Sequence, residues 1–214
     1  MILEDHTRKI SVLTFSPDGK ILALGDVEGA VWLWDVAQGQ GNLFILPSGA
    51  RVLDLAFSPK GAFLAVTNAK GRGPFLTVWG VTSGKMVKSF SDYGDRVFSL
   101  SETVLIASVL ENPLYLRPPR VVLLYLETSQ EEELVGLWTV ALDPARRFLL
   151  VWDLDWPQTL KVPDLLRREV VCEIPFVHPV RAVWSLGGKM LWINSGFYSQ
   201  EPWRSLATFY VGLP

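Results

Sequence analysis

The residues of this 214-residue chain that are suited to chemistry are few, and their spacing argues against a reaction centre. Asp153 and Asp155 form an Asp-x-Asp pair of the kind that supplies oxygen ligands to a metal or an acid and base to a glycosidase. Hydrolysis by paired carboxylates needs two groups facing each other across a cleft, and this spacing is equally that of turn-forming aspartates after a strand. His6 and His178 are the two histidines, far apart and without clustered carboxylates, so zinc has little support. His178, between Val177 and Pro179, reads as structural. Cys172, the single cysteine, follows Val170 and Val171 and reads as a small buried apolar residue. Gly71-Arg72-Gly73-Pro74 is glycine-rich, but no Lys-Ser/Thr pair and no helix follow it, so it is not a phosphate cradle. The sequence therefore assigns no catalytic residue, metal ligand or cofactor.

Composition narrows the class further. Hydrophobic residues make up 49% and aromatic residues 12%, which excludes disorder and favours strands around a packed core. The net charge of −2 is dispersed along the chain, so nucleic acid, which selects basic surfaces, is not an expected partner. A lone cysteine rules out an internal disulfide framework and points to a reducing compartment. Glu4 and Asp5 stand where a secretory signal carries apolar residues, and apolar runs such as Val121 to Leu126 are far too short to span a bilayer. The expectation is a soluble cytoplasmic protein, monomeric or weakly oligomeric, without a membrane contact.

The elements that would position any site repeat along the chain. Ser16-Pro17-Asp18-Gly19 after Phe15 reads as a tight reversal, with Pro17 fixing φ and Asp18-Gly19 tolerating positive φ. Ser58-Pro59-Lys60-Gly61 after Phe57 stands 42 positions later, and Asp143-Pro144-Ala145-Arg146 and Ser185-Leu186-Gly187-Gly188 are again 42 apart. The gap of 85 between the second and third of these turns holds a degenerate repeat, visible as Arg96-Val97-Phe98-Ser99-Leu100, which parallels Arg51-Val52-Leu53-Asp54-Leu55. Third-strand markers are read at Trp34, Trp79, Tyr125, Val162 and Tyr210, followed by Asp35, Gly80, Leu126, Pro163 and Val211. Short helical turns are conceivable at Ser129 to Leu134 and Asp164 to Glu169.

His6, the Ser16 to Gly19 turn and the closing Trp34-Asp35 resemble one WD40 repeat, the unit of a β-propeller blade. Five repeats of about 43 residues fit the roughly 40 to 45 of such units. The resemblance is strong to about residue 90 and weaker beyond. It implies an all-β fold, a five-bladed β-propeller of four-stranded antiparallel blades, with blades at about 6–46, 48–90, 92–135, 136–174 and 175–214 in one domain. It also implies closure by the amino-terminal strand: Ile2-Leu3 would complete the fifth blade, which otherwise stops at its third strand. The competing reading is a piece of a longer array. The family's hydrogen-bonded tetrad maps onto His6, Leu24, Trp34 and Glu28, where Leu24 cannot take part. The matching His positions in later repeats are Ser48, Glu133 and Pro175.

In an up-and-down blade, the first and third turns lie on one face and the remaining connections on the other. The first face has tight turns. The opposite face is expected to carry loops at Asn68 to Pro74, Glu111 to Arg120, Asp153 to Gln158 and Ser195 to Ser205, two of them clearly longer than a turn requires, with about seven residues beyond need between Gly188 and Tyr210. These loops carry Arg72, Tyr115, Arg117, Arg120, Trp156, Phe197, Tyr198, Trp203 and Arg204, the residue types that dominate interface hot spots. Lys9, Arg51 and Arg96 recur just before first strands, near the channel mouth on the same face, where they suit attraction of an acidic partner or, more commonly, plain solvation. The expected function is non-enzymatic binding of a protein or peptide. The alternatives are a propeller enzyme acting on carbohydrate, with Asp153, Asp155, Glu111 or Glu201 as carboxylates, and a structural domain of a larger assembly.

Overall fold

The Ser-Pro-x-Gly stretches close as the sequence requires. In the computed structural model, Gly19 N–H donates to Ser16 O at 2.9 Å and Gly61 N–H to Ser58 O at 2.8 Å, with φ of 71° and 75° at the glycines. Ser16 Oγ accepts from Ile21 N–H at 2.9 Å, and Ser58 Oγ accepts from Phe63 N–H at 3.0 Å, so each serine ties both ends of its reversal. Such turns join the first two strands of successive sheets.

The structure describes residues 8–45, 49–70, 73–91, 96–109, 120–134, 138–153, 159–175, 182–185, 190–193, 196–199 and 204–208. The chain divides into two units, Met1–Leu134 and Val135–Pro214. The first unit holds three four-stranded antiparallel sheets, each formed in chain order. They are β1 (Ile10–Phe15), β2 (Ile21–Asp26), β3 (Val31–Asp35) and β4 (Gln40–Ile45); β5 (Val52–Phe57), β6 (Phe63–Lys70), β7 (Gly73–Gly80) and β8 (Met86–Ser91); and β9 (Val97–Ser99), β10 (Val104–Val109), β11 (Arg120–Tyr125) and β12 (Glu131–Leu134). The second unit holds two more: β13 (Trp138–Leu142), β14 (Leu149–Asp153), β15 (Thr159–Asp164) and β16 (Glu169–Pro175), then β17 (Ala182–Ser185), β18 (Met190–Ile193), β19 (Gly196–Ser199) and β20 (Arg204–Thr208). First strands of neighbouring sheets pack side by side, β1 by β5 and β5 by β9 in one unit, β13 by β17 in the other.

Strand alternation puts one apolar row on each face of a sheet, and these rows form the cores between sheets. Ala23 and Val31 of the first sheet bury against Val52, Leu55, Phe57, Leu64 and Val66 of the second. On its other face the second sheet sets Ala65, Leu76 and Val78 against Val97, Leu105, Ala107, Val122 and Leu124 of the third. Each large side chain so buried contributes about 1.5 to 3 kcal/mol. The first sheet's outer face differs: Leu13 and Phe15 are 57% and 54% exposed, whereas their repeat equivalents Leu55 and Phe57 are 5% and 7% exposed.

Several expectations need correction. Backbone bonds Asp35 O to Gly39 N, Gly80 O to Gly84 N, Tyr125 O to Ser129 N and Asp164 O to Arg168 N, all 2.8 to 2.9 Å, make Asp35, Gly80, Tyr125 and Asp164 equivalent. Tyr125 therefore takes the aspartate position of the motif, with Leu124 at the tryptophan position, and in the fourth sheet the tryptophan position is Pro163, followed by Asp164. The bulge against the fourth strand falls at the same place in the second and fourth sheets, between Val78 and Trp79 and between Val162 and Pro163. Ser129 to Leu134 is not helical, since 131–134 is the outer strand β12, and Asp164 to Arg168 is the β15–β16 turn. The fifth sheet already has a fourth strand in β20, so it does not wait on an amino-terminal strand; Ile2 and Leu3 lie outside the described residues.

Candidate binding face

Two ends of the first unit's sheets are chemically different. At one end the β1–β2, β3–β4, β5–β6 and β7–β8 turns are closed by short backbone bonds and capped by side chains. Asp35 Oδ1 accepts from Ala37 and Gln38 N–H at 2.9 and 2.8 Å, and Ser16 Oγ donates to Asp18 Oδ1 at 2.6 Å. That bond to Ser16, with the Lys20 amide, holds the Asp18 carboxyl below its ordinary value.

The opposite end starts from three cations in equivalent places. Lys9, Arg51 and Arg96 each precede a first strand, and the carbonyl of each accepts from a residue at the close of the second strand: Val27 N–H to Lys9 O at 3.1 Å, Ala69 N–H to Arg51 O at 2.9 Å, Ser108 N–H to Arg96 O at 3.3 Å. The backbone is thus fixed at all three while the side chains are exposed. Bonds between neighbouring sheets hold them in series: Ser11 Oγ donates to Val52 O at 2.7 Å, and Val97 N–H donates to Asp54 Oδ2 at 3.0 Å.

The acids at this end are engaged elsewhere. Glu28 pairs with Arg8 at 2.5 Å. Asp26, fully buried, turns its Oδ1 to the amides of Glu28 and Ala30 at 2.8 and 2.9 Å, closing the β2–β3 loop, while its Oδ2 has no partner among the described residues. This corrects the expected tetrad: the buried acid is Asp26, and Glu28 is an exposed ion-pair partner. His6 lies outside the described residues. Leu24 and Trp34 are both buried, and Trp34 Nε1 finds no acceptor among the described residues. In the second sheet, Trp79 Nε1 instead donates to Thr77 Oγ1 at 2.9 Å.

The other predicted site residues fall as follows. Arg72, Tyr115, Arg117, Trp156 and Trp203 lie outside the described residues, as do Glu111, Asp155, Glu201 and His178. Arg120 begins β11, Phe197 and Tyr198 lie in β19, and Arg204 begins β20, so these four occupy strands rather than loops. The apparent excess between Gly188 and Tyr210 is two strands, with Trp192 paired to Phe197 and Ser199 to Arg204. Asn68 to Pro74 is mostly strand too, Lys70 pairing with Gly73. Asp153 ends β14. No three metal-ligating side chains lie together among the described residues, and none of their helices is long and apolar enough to cross a membrane.

In the second unit, a charge pair that sequence reasoning missed organises the fourth sheet. Asp164 is fully buried, and its Oδ2 accepts from Arg147 Nε and Nη2 at 3.0 and 2.8 Å, while Oδ1 accepts from Leu166 and Arg167 N–H at 2.9 and 3.1 Å. Burial alone would raise this carboxyl's pKa; the Arg147 guanidinium and the two amides outweigh that and hold it below the ordinary value. Arg147 also lies over the Phe148 ring at 4.6 Å. Cys172 is half-buried in β16, and burial, aided by Glu173, pushes its thiol up.

Four-stranded antiparallel sheets, repeated in chain order with first strands adjacent, define a β-propeller protein. The β-propeller domain of Myceliophteria thermophila Cps50 (Swd1) superimposes with a TM-score of 0.70 over 91% of this chain and 66% of that one, at 17% identity. The WD40 family (WD domain, G-beta repeat) matches residues 1–35, the stretch that carries the full motif. The chain is 36% identical over 83 residues to the Periodic tryptophan protein 2 homolog of Schizosaccharomyces pombe and 33% identical over 86 residues to the small ribosomal subunit protein RACK1z of Arabidopsis thaliana. These matches cover 39% and 40% of this chain but 9% and 25% of the two relatives, so the chain spans only part of their length. Residues 1–35 thus match a WD40 repeat, and the chain has the fold of a β-propeller.

Proposed function

We propose that this chain is a non-enzymatic scaffold that binds a protein or peptide through the end of its sheets bearing Lys9, Arg51 and Arg96. The observation that supports this is that those three side chains are exposed at backbone positions fixed by the same hydrogen bond in three successive sheets, while the opposite end is closed by capped turns. A rigid platform presenting polar anchors at a repeated spacing suits recognition rather than turnover. Arg72, Tyr115 and Arg117, which the sequence puts between the second and third strands of their sheets in the same unit, and Arg120 at the start of β11 extend this face in the proposal. The lone Cys172 fits a reducing compartment, and the cytoplasm is the proposed location.

The test compares capture of partners from native lysate by the full chain, by an Arg51→Ala/Arg96→Ala variant and by a Lys60→Ala/Lys85→Ala variant altered at the turn end. Partners lost with the first variant and kept with the second, at equal melting temperature, are the expected result. Capture unaffected by Arg51→Ala/Arg96→Ala overturns the assignment of the face.

A further inference from the structure

We infer that the β13–β14 and β15–β16 turns of the fourth sheet bind a phosphorylated side chain of a partner protein through Arg146 and Arg168. The site is additional to the cationic row described above, and neither depends on the other. Both arginines hold a left-handed backbone, with φ of 58° and 60°. Arg146 N–H donates to Asp143 O at 2.8 Å, which puts Arg146 where Gly19 and Gly61 close the turns of the first two sheets. Arg168 N–H donates to Asp164 O at 2.8 Å, which puts Arg168 where Gly39 and Gly84 stand. Glycine adopts this conformation freely, whereas a residue with a Cβ is strained in it. Of the three non-glycine residues so placed among the described residues, two are these arginines of one sheet. Backbone strain gathers where a side chain is used.

The two turns are fixed side by side. Leu165 N–H donates to Arg147 O at 2.8 Å, and Phe148 pairs with Asp164. Asp143 accepts from the amides of Ala145, Arg147 and Phe148, and Asp164 from those of Leu166 and Arg167, so both backbones are set before a ligand arrives. These two acids are buried, and Arg147 is engaged with Asp164. The outer surface of the turns carries half-buried Arg146 and exposed Arg167 and Arg168 against one exposed acid, Glu169, 3.6 Å from Arg167. One guanidinium fork satisfies a carboxylate, whereas a phosphate monoester, with nearly two charges and three strong acceptor oxygens, accepts from both turns at once. Leu166, 78% exposed beside Arg167, offers an apolar contact to the residue next to the phosphate. A membrane surface would use the same groups, but one leucine and three arginines make an anchor about as marginal and reversible as a single lipid chain. A phosphorylated segment, which adds its own directional bonds and apolar contact, suits these turns better.

The experiment uses the full chain and bead-bound peptide libraries with degenerate flanks around one fixed residue: phosphoserine, serine or glutamate. Retention is measured for wild type, Arg146→Gly/Arg168→Gly, Arg146→Asn/Arg168→Asn and a control that removes two charges elsewhere, Lys20→Gln/Lys60→Gln, and each protein is also melted. Glycine and asparagine both tolerate the left-handed backbone, so the paired variants remove the guanidiniums without straining the turns. The expected result is retention of wild type on the phosphoserine library about tenfold or more above that on the serine and glutamate libraries. Both arginine pairs lose this preference at a melting temperature no lower than wild type, and the control keeps it. Retention that ignores the phosphate, or that survives in both pairs, overturns the proposal. A lower melting temperature in both pairs also overturns it, because the arginines would then be holding the turns themselves. Vesicles of phosphatidylserine and phosphatidylcholine supply the remaining arm: sedimentation lost with Leu166→Ser, in a chain that ignores the phosphoserine library, overturns the proposal by assigning the turns to a membrane surface.

Discussion

Leu13 and Leu55 occupy the same place in successive repeats, yet truncating them should have different consequences. Leu55 is 5% exposed and sits in the core between the first two sheets with Ala23, Val31, Phe57 and Leu64. Leu55→Ala removes its transfer energy and leaves a cavity that well-packed strands on both sides cannot collapse, a loss of about 2 to 5 kcal/mol. Leu13 is 57% exposed in β1 of the first sheet. Leu13→Ala removes side-chain carbons that are more than half in water and opens a site that solvent fills, so no cavity term arises and the loss is about 1 kcal/mol or less. Against a total of about 5 to 15 kcal/mol, the first change is severe and the second slight. Urea denaturation followed by tryptophan fluorescence, on both variants and wild type at one protein concentration, measures the difference. Equal losses would refute the reasoning, because they would mean that Leu13 is covered in solution by something that fills the role the first sheet plays for Leu55.

Other outcomes follow from the same geometry. Arg147→Ala strips both guanidinium hydrogen bonds from the fully buried Asp164 carboxylate, leaving it Arg167 at 3.9 Å, and should cost about 3 kcal/mol, read by the same denaturation. Because the Asp164 carboxyl is held below its ordinary value, its contribution is present above the unfolded value of about 3.9 and is lost as pH falls through the folded one. The stability gap between wild type and Asp164→Asn should therefore be full at neutral pH and close in acid; a gap independent of pH would count against the pair. Ser129 holds φ of 58° where Gly39 and Gly84 stand in earlier repeats, so Ser129→Gly should raise stability by about 0.5 to 1 kcal/mol, and a lower melting temperature would contradict this. A Cβ on Gly41 would meet the Trp34 ring, so Gly41→Ala should lower the melting temperature, with a silent substitution showing that the indole can move.

What the sequence made legible, and what it hid, divides along one physical line. The β1–β2, β5–β6 and β13–β14 reversals could be found because their chemistry is local: Pro fixes one φ, and a side-chain oxygen of Ser16, Ser58 or Asp143 caps the same amides. Asp143 does with a carboxylate what the serines do with a hydroxyl, accepting from Arg147 and Phe148 N–H at 2.6 Å each, so the residue type changes while the turn persists. Third strands were harder, since their marker is a packed tryptophan and any apolar residue of suitable volume fills that place, as Leu124 does. The positive-φ residue four positions beyond the motif aspartate was the firmer landmark, but only Gly39 and Gly84 advertise it; Ser129 and Arg168 adopt the same conformation without a compositional sign. The fifth sheet was misread for a related reason: β19 and β20 are four and five residues long and bear no turn signature between them, so two strands looked like one insertion. The basic row was visible from the start because it needed only the first strands to be in register, and the three carbonyl bonds at Lys9, Arg51 and Arg96 supply that register. The sequence did not reveal why the row lacks ion-pair partners among the described residues: Glu28 is paired with Arg8 and Asp54 accepts from the Val97 amide, a property of side-chain pairing that no spacing along the chain encodes.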